Sequence, residues 1–220
     1  MLLAASAILL LHRRNKASLG DESEPVASCN LRNLMRHFIG PSVNVVCGAL
    51  DCLAGGRVID ACKNHRVGTA SLSELEKKLG KLTQAKDAKE DMAVVYVKYM
   101  IEAAGKVAET ACHIVVRPEF CISISDKCEL QTIGTMIGAL PAEVADDSRF
   151  LSKVANDKDF IEHLIAEKSK SMTHEDFDDG SQAYSYLVML YYLHSYLNSF
   201  YQIVSASAKY GGVLLRRDLA

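Results

Sequence analysis

The sequence predicts an all-α protein: a compact bundle of seven or eight helices with a short apolar leader helix at its N-terminus. Three observations carry that prediction. The stretch Ser181–Ala208 holds six tyrosines and a phenylalanine and no formally charged residue. At 100° per residue its Tyr186, Met189, Leu190, Leu193, Tyr196, Leu197, Phe200, Ile203 and Val204 fall on one wide face, the 3.6-residue apolar period of a helix. A second long run, from about Asp87 to Arg117, confines its charges to one stripe (Asp91, Lys98, Glu102, Lys106, Glu109, His113, Arg117). Everything else on that run is apolar or small, as in a helix packed beside the first. Finally, Glu119–Ser125 alternates apolar and polar residues like a strand, but no second run offers to pair with it. An extended connection is expected there.

The elements follow in order. Residues 1–16 form an apolar-basic leader: Leu2, Leu3, Ile8, Leu9, Leu10 and Leu11 dominate the run, and Arg13, Arg14 and Lys16 follow. So short a run cannot cross a bilayer as a straight helix, and its charge follows the apolar part rather than preceding it, unlike a secretory signal. Three readings stand: a membrane-contacting anchor with the basic residues at the headgroups, an organelle transit peptide, or a helix docked on the protein's own core. Residues 17–28 have linker composition. A helical domain is expected over residues 29–210, with a tail at 211–220.

Ser28 can cap a helix whose apolar side is Leu31, Leu34, Met35 and Phe38. Gly40-Pro41 should stop it, with Pro41 opening a buried helix to Ala54. After Gly55-Gly56 a short helix, Arg57–His65, is expected. Ser71 and Glu74 form a capping box for another, to about Gln84, with Leu72, Leu75, Leu79 and Leu82 inward. On the charged stripe Glu102 and Lys106 have the spacing of an i,i+4 pair, and Pro118 ends that helix. Asp126 and Glu129 read as a capping box for a helix ended by Pro141. Ser148–Ala155 and Asp157–Lys170 read as two more helices, with Phe160, Ile161, Leu164 and Ile165 inward on the second. An acidic loop, Thr173–Gly180, then leads into the tyrosine-rich helix, which Gly211-Gly212 ends.

Composition narrows function. The chain has 220 residues and a formal net charge of −2, with lysine and arginine scattered, so nucleic-acid binding has no electrostatic footprint. Seven cysteines cannot all pair within one chain. Most sit among apolar residues at helical spacing, as small hydrophobes, which points to free thiols and a reducing compartment.

The candidate constellations are weak. Cys47, Cys52, Cys62 and His65 are ligand types for zinc. However, Cys47 and Cys52 lie about 140° apart on a helix, and no Cys-x-x-Cys knuckle occurs. Cys112 and His113 are adjacent on a helix and point apart, so they do not make a nucleophile and base. The acidic loop places Phe177 where a calcium loop needs an oxygen. Neither a phosphate-binding glycine loop nor a nucleophile elbow occurs. No metal and no cofactor is implied.

With no assembled catalytic group, the leading expectation is a non-enzymatic helical interaction or scaffolding module. A leader would hold it near a membrane, its domain in a reducing compartment, and it would bind a protein partner. Organelle targeting is the alternative location. The alternative function is an enzyme or binder of a small apolar ligand inside the bundle, where Tyr191, His194 and Asn198, at i, i+3 and i+7, would supply the polar groups. A third class is an accessory subunit of a membrane complex.

Overall fold

The computed structural model describes residues 31–84, 92–143, 150–173 and 181–211. The leader, the linker, most of the acidic loop and the tail beyond Gly211 lie outside the described residues. Those described form an all-α bundle of six helices, and no strand occurs among them. The helices are α1 (residues 31–54), α2 (Val58–Gln84), α3 (Met92–Val115), α4 (Ile124–Glu143), α5 (Phe150–Ser171) and α6 (Gln182–Gly211).

The described residues hold six helices rather than seven or eight, and three of the expected breaks do not occur. Residues Leu31–Leu34, Met35–Ile39 and Gly40–Ala54 run on as one rod, with a π turn over the middle segment. The Gly40 N–H bonds back to the Met35 carbonyl, five residues earlier. The widened turn makes room for the Pro41 ring, which would clash with a carbonyl in a regular helix. Likewise α2 runs unbroken through Gly68 and Ser71, so no capping box forms there. Gly68 is buried, and a Cβ on it would stand 3.0 Å from Val45 Cγ1; the glycine is a contact point with α1, not a stop. The two helices expected over residues 148–170 are one, α5. Pro141 lies inside α4 rather than ending it.

α6 packs most extensively against α3, as the two patterns predict, and also against α5. α3 further touches α1 and α2, and α4 covers the outer side of α1. All nine residues expected on the inner face of α6 are buried, Met189 through Ile203 to 0% exposure. Leu72, Leu75, Leu79 and Leu82 of α2 are buried too. Phe160 is the exception on α5: it is 36% exposed while Ile161, Leu164 and Ile165 turn inward. On the charged stripe, Glu102 pairs with Lys98 at 3.8 Å and Lys106 with Glu109 at 2.9 Å.

Tyr196, wholly buried, ties α6 to α1. The Ser42 hydroxyl gives its proton to the Ile39 carbonyl at 2.8 Å, so the Tyr196 hydroxyl, 2.9 Å away, donates to Ser42. A buried phenol without a partner would be costly; burial holds this one protonated, well above the ordinary tyrosine pKa.

Among the described residues one helix, Met35–Ala54, is long and apolar enough by length and composition to cross a membrane. The tyrosine-rich helix does not meet that test. Met35–Ala54 is packed on by α2, α3 and α4, as befits a core helix.

Candidate functional site

The last turns of α1, α3 and α5 and the first turns of α4 and α6 line one recess, so residues 55–57, residues 116–123 and the described residues flanking the acidic loop gather at one end of the bundle. Contacts between them confirm the convergence. The Phe120 ring lies 3.4 Å from where a Gly56 Cβ would stand. Gln182 clamps the Cys121 backbone, accepting from its N–H at 3.3 Å and donating to its carbonyl at 2.7 Å. Arg117 donates to the Ser185 hydroxyl at 3.1 Å.

Local sequence explains these geometries. Gly56 takes φ +61° in the α1–α2 turn, a region open to glycine. The connection before α4 forms no strand; it turns at residues 116–119, where the Phe120 N–H bonds to the Arg117 carbonyl at 3.1 Å, and the cap falls three residues earlier than Asp126. Ser123 Oγ accepts the Asp126 N–H at 3.0 Å and donates to the Asp126 carboxylate at 2.6 Å. Ser181 caps α6 by accepting the Tyr184 N–H at 2.9 Å.

A cavity of about 320 Å³ opens at this end. Leu53, Ile114, Phe120, Ile122 and Met172 form its apolar walls, and Asp126, Lys168, Gln182 and Tyr186 its polar side. Lys168 Nζ lies 2.7 Å from Asp126 Oδ1 and 3.0 Å from Glu129 Oε1. The ammonium also sits over the Tyr186 ring, 5.7 Å from its centre, and the Tyr186 hydroxyl donates to Glu129 at 3.2 Å.

The charges of this cluster are fixed by one another. Burial pulls the Asp126 pKa up, but hydrogen bonds from Lys168 and Ser123 outweigh it and hold the carboxyl below the usual range. Burial likewise works against the Lys168 ammonium, and its two carboxylate partners keep its pKa above the ordinary value. Burial first, then the negative charge of Glu129 and Asp126, push the Tyr186 phenol far up. Two carboxylates and one ammonium leave one negative charge in excess. The polar side therefore suits a hydroxyl or ammonium better than an anion.

The same end of the bundle carries exposed apolar side chains. Ile59 is 84% and Ile124 85% exposed, and Val58 and Val116 are also exposed. All four belong to the helix ends and connection at this end of the bundle.

The sequence-nominated residues lie elsewhere. Tyr191 points outward and is 54% exposed. His194 is half-buried on the α5 side, where burial and the nearby Lys158 ammonium lower its pKa. Asn198 accepts a hydrogen bond from Lys158 at 3.2 Å. None of the three lines the cavity, nor the shallow depression on α5 bordered by His163, Glu167 and Lys170.

The cysteines divide. Cys52 and Cys112 are buried and Cys47 half-buried, whereas Cys62, Cys121 and Cys128 are exposed, against the expectation that most would be core residues. Cys47 donates to the Gly134 carbonyl at 3.5 Å, and Asn64 donates to Cys52 at 3.0 Å. Among the described residues no three metal-ligating side chains come together. The leader residues lie outside the described residues, as do the acidic positions Asp176, Asp178 and Asp179.

Sequence reasoning passed over the cluster. Asp126 and Glu129 carry a signal, two acids three apart on one helix face, but it coincides with a capping signature. Lys168, 42 residues on, carries none. No protein-family model, curated protein or solved structure matches the chain.

Proposed function

We propose that this protein is a non-enzymatic helical interaction module whose partner-binding surface is the end of the bundle that carries the cavity. In this reading residues 1–16 hold the module near a membrane. One observation supports the binding surface above others: exposed Ile59, Ile124, Val58 and Val116 share one end with an apolar cavity. Large apolar side chains that are scattered singly need no explanation, but several grouped around a recess mark an interaction site. An apolar side chain of the partner fills the recess, and a partner hydroxyl or ammonium meets the carboxylate-rich side.

The test is a pull-down with the full chain, the Ile59→Ser/Ile124→Ser variant, and a Met92→Ser/Tyr99→Ser control on α3. The first pair is so exposed that the fold should not notice its loss. A partner kept by wild type and control and lost by the first variant is the expected result. Equal capture by all three overturns the proposal.

A second reading, a small apolar ligand inside the bundle, is favoured by the cavity volume, at the lower end for ligand sites. Ala183 lines the cavity at the exposed start of α6. If a neutral environment-sensitive dye binds the wild type and not Ala183→Phe, the recess takes free ligands.

A further inference from the structure

Cys62 stands in the second turn of α2, and Cys112 in the last turn of α3. Their sulfurs are 3.9 Å apart although fifty residues separate them in sequence. Both thiols are free, Cys62 exposed and Cys112 buried. A disulfide holds its sulfurs about 2 Å apart, so a further approach of about 2 Å turns this contact into a bond.

The surroundings can supply that movement. From Val58 to Ala70 only Ala61 and Gly68 of α2 are buried, whereas Leu72, Leu75, Leu79 and Leu82 anchor the rest of the helix. The half of α2 that carries Cys62 buries fewer large side chains than the other half.

We propose that Cys62 and Cys112 form a dithiol that a hydroperoxide oxidises to a disulfide, stapling the start of α2 to the end of α3. This inference is independent of the proposed binding surface. The exposed Cys62 reacts first. Its thiolate sulfur attacks one peroxide oxygen, the O–O bond breaks, and the other oxygen leaves as water or an alcohol after taking a proton; Cys62 becomes a sulfenic acid. The Cys112 sulfur then attacks the Cys62 sulfur. The S–S bond forms, the S–O bond breaks, and hydroxide leaves with the Cys112 proton as water. Two electrons and two protons from the thiols reduce one hydroperoxide.

The order of events follows from burial. Desolvation, then the hydrogen bond to Cys62 and its charge, raise the Cys112 pKa to about 11, so Cys112 is a poor first nucleophile. Conversion of Cys62 to a neutral sulfenic acid removes the part of that shift that comes from its charge.

The full chain, treated with hydrogen peroxide, alkylated under denaturing conditions and digested, provides the test. Expected is one peptide pair joined through Cys62 and Cys112, lighter by two hydrogens and split by dithiothreitol. Cys112→Ala should strand Cys62 as a sulfenic acid that dimedone traps, and Cys62→Ser should leave Cys112 reduced. Recovery of both cysteines singly alkylated after peroxide overturns the proposal. So does linkage of Cys62 to Cys121, to Cys128 or to a second chain. The peptide map of the unmutated protein decides the matter even where a variant folds poorly.

Discussion

Lys168 shows how one side chain can set the charge of a whole site. It bridges Asp126 and Glu129 from another helix with its own side chain 24% exposed, between the surface pairs that contribute little and the buried pairs whose desolvation is costly. Lys168→Met would leave two neighbouring carboxylates uncompensated and should cost about 1–3 kcal/mol at neutral pH. The pH dependence follows from the lowered pKa of Asp126. Its stabilisation is fully present above the ordinary carboxylate value of 3.8 and is lost as pH falls through the lower folded value. Thermal melts of wild type and Lys168→Met should therefore differ most near neutral pH and converge as the pH falls below the lowered folded value of Asp126. A gap that does not change with pH would show that the ion pair is not what Lys168 contributes. None of this was legible in sequence. The i,i+3 acids sit where a helix cap is expected, and the cation that gives them meaning arrives only through the antiparallel packing of α4 and α5.

At the scale of the helix, sequence signals were reliable where they were periodic and unreliable where they were punctuation. The inner faces of α2 and α6 were legible because burial on one side imposes a 3.6-residue rhythm on many residues at once. The joints were not, because a glycine or proline marks a break only if packing does not use it. Gly40-Pro41 is absorbed by the π turn, and Gly68 is where α2 meets Val45 of α1. Gly80, in the same helix, has nothing within 4 Å of an added Cβ. The two glycines should therefore respond in opposite directions. Gly80→Ala should raise stability by about 0.4–1 kcal/mol, mainly by restricting the unfolded chain. Gly68→Leu should lower it by about 1–3 kcal/mol, since the added side chain must displace Val45. Denaturant titrations of the two variants check both signs, and a Gly68→Leu midpoint at or above wild type would remove the close-contact explanation of α2's continuity.

At the scale of the whole molecule, the six helices of the described residues alternate in direction along the bundle, and that regularity bears on the leader. Leu2–Leu11 with Arg13, Arg14 and Lys16 pairs apolar insertion with basic contact to anionic headgroups, each basic residue contributing about 1 kcal/mol near such a surface. The full chain should float with anionic vesicles, less so at high salt because screening weakens the basic part. Deletion of residues 1–16 should release a soluble helical domain. A deletion that instead lowers the melting temperature, in a full chain that never binds vesicles, would mean the segment is part of the core. An even number of alternating helices also puts the first and the last described helix ends on the same side of the bundle. Residues 31 and 211 thus lie at the end of the bundle away from residues 55–57 and 116–123. Helices of 20 to 30 residues separate the two ends by about 30–45 Å. A leader seated in a bilayer would tether the bundle from the end away from the recess, like a lamp on its cord, leaving the recess and the exposed isoleucines beside it free to face the surrounding solution.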